Sequence, residues 1–123
     1  MIRECKYNFD QCVSNLINAI KSLNAQIFCE IDHRENAEKV GLEMNKAKVI
    51  FFGNPKVGTL LMQEKIEICY DLPLRIAVFE KNNKCFLEYK LPSDFTEEYQ
   101  IKNVDVIKKM DEFMGNIIKN LTV

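Results

Sequence analysis

Three groups of residues in this chain carry side chains able to do chemistry. The first is residues 53–59, Gly-Asn-Pro-Lys-Val-Gly-Thr, which follow an apolar run and precede a helical pattern. Asn54 is a favoured N-cap residue and Pro55 suits the first helical position, so the stretch predicts a strand-to-helix corner. The same corner has a functional reading. The amide hydrogens of Lys56, Val57 and Gly58, the helix dipole and the Lys56 ammonium would together attract an anion. Gly58 would let a ligand approach the backbone closely. A glycine inside a helix costs about 1 kcal/mol relative to alanine, so Gly58, beside Thr59, asks for a reason beyond the corner itself. The stretch is neither a Walker loop nor a Gly-x-Gly-x-x-Gly turn.

The second group surrounds His33, the only histidine, which follows Asp32. A lone histidine can serve as a general base, and it can equally be a partly exposed residue at a helix start. Glu35 and Glu38 lie two and five positions on, a poor match for ligands on one helix face, so no metal site is expected. The third is Asp71, ahead of Leu72-Pro73-Leu74, either an acid or a turn former.

These residues need elements to position them. Phe9, Val13, Leu16, Ile17, Ile20 and Leu23 share one helical face, with Asn8 and Gln11 in the pattern of a capping box. Residues 26–31 read as a strand with Ile27, Cys29 and Ile31 on one side. Asp32 and Glu35 then start a short polar helix that stops at Gly41. Residues 47–52 suit an interior strand, and a helix begins at Pro55 with Val57, Leu60 and Leu61 inward. Residues 66–72 are expected to be extended. Residues 75–80 and 84–90 form a hairpin about Asn82-Asn83, in a register that sets Phe79 against Phe86 and Val78 against Leu87. Residues 2–7 suggest an edge strand and 92–100 a polar bend. Asn103 caps a last helix with a stripe of Ile107, Met110, Phe113, Met114, Ile117 and Leu121.

The bulk composition narrows the function classes. A chain of 123 residues fits one domain, 1–123, and 47% hydrophobic with 28% charged residues fits a globular fold. Seventeen basic against eighteen acidic residues argue against nucleic acid as a partner. No apolar run approaches a membrane span, and the charged N-terminus does not read as a signal peptide, so a cytoplasmic protein without a membrane partner is expected. The five cysteines include no Cys-x-x-Cys, and they are read as reduced, small hydrophobic residues.

The motifs also resemble a known family. Phe28, Ile31-Asp32-His33, Ala37, Gly41-Leu42, Phe52 to Lys56, Gly58-Thr59, Leu61-Met62 and Asp71 to Leu74 follow the signature of the family called domain of unknown function 302 in order and approximate spacing. Leu60 and Phe79 depart from it, where the family often has proline and tryptophan. The resemblance implies an α+β domain with a mainly antiparallel sheet, helices packed on one face, broadly like the TATA-binding-protein class of folds. It implies no activity. It directs attention to Asp32, His33, Asn54, Lys56, Thr59 and Asp71.

Three functions are then open. One is a small-molecule or anion-binding domain, a homodimer through aromatics on the uncovered sheet face, with Asp32, His33, Asn54, Lys56, Gly58, Thr59 and Asp71 as ligand-binding residues. Another is an acid/base enzyme with His33 as base and Lys56 stabilising an oxyanion. The last is a structural or interaction domain. The sequence names no cofactor.

Overall fold

A computed structural model describes residues 1–123. Five antiparallel strands form one sheet in the order β1-β5-β4-β3-β2: β1 (Ile2–Glu4), β2 (Gln26–Asp32), β3 (Ala47–Gly53), β4 (Leu74–Lys81) and β5 (Lys84–Tyr89). Five α-helices accompany it: α1 (Phe9–Ser22), α2 (His33–Lys39), α3 (Pro55–Glu64), α4 (Pro92–Glu98) and α5 (Val104–Leu121). The fold is thus the expected α+β arrangement.

Local chemistry sets the helix starts. The Asn8, Asp32, Asn54 and Asn103 side chains accept from the backbone amides of Gln11, Glu35, Lys56 and Val106. Each such cap contributes about 1 kcal/mol. The β4–β5 hairpin turns where Asn82 and Asn83 hold φ of +54° and +62°, values that asparagine tolerates. Its register pairs Phe79 with Phe86 and Val78 with Leu87, as the alternation predicts.

One sheet face makes the core. Ile50 and Phe52 from β3, Ile76 and Val78 from β4, and Leu87 from β5 meet the apolar stripes of α1 and α5. Burying each of these side chains is worth about 1.5–3 kcal/mol. On the opposite face Phe79 and Phe86 stack with ring centroids 5.7 Å apart, and Arg75 lies 4.9 Å over the Phe51 ring.

Four local expectations change. Residues 66–71 form a 3-10 helix rather than a strand, and 92–98 form α4 rather than a bend. Both segments are short, and their buried residues, Ile68 in one and Pro92 and Thr96 in the other, are too few to show a period. Leu60 is exposed, because Val57 and Leu61 already fill the inner face of α3. In β2 a bulge at Phe28 pairs Ile27 with Phe52 but Cys29 with Phe51, so Ile27 leaves the face that Cys29 and Ile31 share. A bulge adds one residue to one strand and breaks the period of two.

The cysteines divide. Cys5, Cys12 and Cys85 are buried, whereas Cys29 and Cys69 are exposed and do not serve as core.

Candidate functional site

Strand pairing fixes where the chemistry-bearing residues lie. Gln26 at the start of β2 pairs with Gly53 at the end of β3, and Phe52 pairs with Leu74 at the start of β4. The 53–59 corner, the 3-10 helix and the β4 entry therefore share one end of the sheet. Asp32 pairs with Lys48, at the other end. Six residues of strand separate Lys48 from Asn54, about 20 Å at ~3.3 Å each. Asp32 and His33 thus stand far from Asn54, Lys56, Gly58, Thr59 and Asp71. The structure does not bring the seven residues into one site.

At the corner, most polar groups are engaged by the protein itself. Asn54 Oδ1 accepts from the Lys56 amide at 3.0 Å, and the Asn54 carbonyl accepts from the Gly58 amide at 2.9 Å. The Thr59 hydroxyl donates to the Pro55 carbonyl at 2.7 Å. Two of the three amides of the expected anion cradle are therefore committed to the helix and its cap. Lys56 is exposed and is not among the residues that line the cleft at this end of the sheet.

The notable feature at this end is a cleft of about 640 Å³. Its walls are the β2 and β3 ends with Phe28 and Phe51, the α3 face with Val57, Gly58 and Met62, the β4 entry with Leu72 and Leu74, and α5 with Met110 and Phe113. Asn54, Gly58 and Thr59 line it; Asp32, His33, Lys56 and Asp71 do not. Twelve of its nineteen lining residues are hydrophobic, and the one charged side chain among them is Lys109 of α5. A Cβ on Gly58 would point toward the cleft, in ordinary van der Waals contact with Leu72 at 3.8 Å and Met62 at 4.0 Å, so the position itself does not demand glycine.

Two polar contacts hold the walls. The Glu64 carboxylate, at the end of α3, accepts from the amides of Lys102 and Asn103 just before α5. Asp71 accepts from the Tyr99 hydroxyl at 2.6 Å, joining the 3-10 helix to the end of α4. That hydrogen bond, with partial burial and nearby negative charge, pushes the Tyr99 phenol up to about 12. The folded value lies above the usual 10.0, so the contact stabilises fully below pH 10 and is lost as pH rises through about 12. An ultraviolet titration should show one tyrosinate appearing late, and Tyr99→Phe should remove that component; a late component that survives Tyr99→Phe would place the shift elsewhere.

Lys109, Phe51 and Phe113 are cleft residues that sequence reasoning missed as ligand neighbours. Phe113 appears in the sequence only as a member of an apolar stripe, and Lys109 as one of many surface lysines.

The family described as "Domain of unknown function DUF302" matches residues 1–121. This chain belongs to that family. A solved DUF302 protein from Bacillus stearothermophilus shares the fold of this DUF302 chain at a TM-score of 0.88 and 11% identity, over 98% of this chain and 96% of that one. Among curated proteins, "Fluoride-specific ion channel FluC 1" of Brucella suis is 30% identical over 119 residues, covering 94% of this chain and 47% of that protein. The protein of the same description from Brucella abortus is likewise 30% identical, over 44% of its length. The DUF302 chain thus spans about half the length of the curated relatives it matches. No helix of the chain is long and apolar enough to cross a membrane.

Proposed function

We propose that this DUF302 domain is a small-molecule-binding module whose site is the cleft beside the 53–59 corner, and whose ligand is an amphiphile with an apolar body and an anionic end. The observation that carries the reading is the cleft's composition: mostly apolar walls with a single cation, Lys109, among the lining residues. Its volume falls within the usual range of ligand sites, roughly 300–1,000 Å³. The anion idea survives in altered form. The charge that meets the anion is Lys109 rather than Lys56, and Asn54, Gly58 and Thr59 shape the wall instead of donating amides. His33 has no role in this site.

Dodecanoate and dodecanol test the reading as matched probes. Dodecanoate should bind the wild type and weaken about tenfold in Lys109→Met, the equivalent of ~1.4 kcal/mol. Dodecanol should bind both proteins alike. Failure of both probes to bind, or equal loss of both in Lys109→Met, would refute it.

The curated relatives suggest a setting. Where a DUF302 portion accompanies a channel portion, we read it as the ligand-binding part and the remainder as the conducting part. That no helix of this chain is long and apolar enough to cross a membrane supports that division.

The uncovered sheet face, with Phe79, Phe86 and the exposed Phe28, supports a homodimer. Light scattering at low micromolar concentration should give twice the chain mass, and Phe79→Glu should give the monomer. A wild-type monomer would exclude this surface as a dimer interface.

A further inference from the structure

We propose that Cys5, Cys12 and Cys85 form a buried three-sulfur site for copper(I). Three separate elements deliver them: Cys5 follows β1, Cys12 lies in the first turns of α1, and Cys85 lies on β5. Their Sγ atoms all fall within 4.8 Å of one another, with Cys5 Sγ donating to Cys12 Sγ at 2.7 Å. The residues are 5%, 0% and 5% exposed.

The geometry admits a trigonal ion. At a bond length of about 2.3 Å, typical of thiolate on a d10 first-row ion, three coplanar sulfurs stand about 4 Å apart. The 4.8 Å limit on the cluster admits that size, and the 2.7 Å Cys5–Cys12 edge would lengthen by about 1.3 Å when the ion enters.

Ligand chemistry selects the ion. The cluster contains no imidazole or carboxylate. Structural zinc closes a tetrahedron of four ligands, and catalytic zinc adds water. Here the sulfurs sit within the 21-residue hydrophobic core, and no histidine, aspartate, glutamate or further cysteine joins them. A soft, monovalent ion satisfied by three sulfurs suits such a place. Binding by three thiolates releases three thiol protons and leaves the copper(I) site with a net charge of −2, so the choice of ion rests on the softness and number of the donors and not on charge. The bound ion would tie the N-terminal strand and α1 to β5, raising stability by linkage.

The exposed Cys29 and Cys69 could hold copper adventitiously, so the test uses the full chain with Cys29→Ser and Cys69→Ser. Reduced, anaerobic protein is titrated with copper(I) against bicinchoninate. One copper per chain is expected, with X-ray absorption showing three sulfurs and no nitrogen or oxygen. Cys12→Ala or Cys85→Ala should weaken binding at least 100-fold, with circular dichroism reporting whether each variant folds. Should those variants unfold, the X-ray absorption of the parent still decides. No copper retained, a shell of two sulfurs or one with nitrogen or oxygen, unchanged affinity in folded variants, or displacement of copper(I) by equimolar zinc(II) would each overturn the proposal.

Discussion

Phe52→Ala is expected to lower the unfolding free energy by about 3–5 kcal/mol. Phe52 is 0% exposed and lies on the core side of β3, paired between Ile27 and Leu74. Its ring lies 5.9 Å from that of Phe113 on α5. Truncation removes the largest fully buried side chain and leaves a void against a helix and two neighbouring strands. The backbone cannot close that void, because ladder hydrogen bonds hold β3 on both sides and Glu64 holds the start of α5. For a chain of this length the loss corresponds to a fall in Tm of roughly 10–20 °C. Calorimetry or urea unfolding measures it. A change below about 1 kcal/mol would mean that the core is less tightly packed at this point than the contacts require.

Gly58→Phe should abolish binding of dodecanoate, with at least a 100-fold rise in Kd, while the protein stays folded. The backbone at Gly58 is ordinary helix, so a side chain costs no strain there and improves intrinsic helix propensity. The new side chain leaves the helix toward Leu72 and Met62 and occupies the cleft. Stability should hold or rise slightly. Affinity and stability therefore move apart, which a generally damaging substitution would not produce. Binding preserved in a folded Gly58→Phe protein would show that the ligand site is elsewhere.

The sequence made most of the framework legible because the framework rests on local chemistry. Asn8, Asp32, Asn54 and Asn103 announce helix starts, and Asn82-Asn83 announces a hairpin and its register. Alternation and helical spacing likewise assign Ile76, Val78 and Leu87, and the stripes of α1 and α5, to one core. The family motifs were equally readable, and the match over residues 1–121 bears them out.

The candidate site was less legible. Residues of one family signature proved to serve different ends of the sheet: an antiparallel β2–β3 pair carries Asp32 and His33 about 20 Å from Asn54. The anion cradle at the corner looked open because a sequence shows amides but not what accepts from them; Asn54 takes two.

By itself, then, the sequence determined most of the elements, their caps and the hairpin register, which interactions within a few residues set, together with the family; the 3-10 helix, α4 and the β2 bulge it did not. Only the tertiary structure decided which distant residues meet: Lys109 with the corner, Tyr99 with Asp71, and Cys5 and Cys12 with Cys85. Those meetings depend on strand order and helix placement, which arise from the packing of the whole core and leave no periodic trace along the chain.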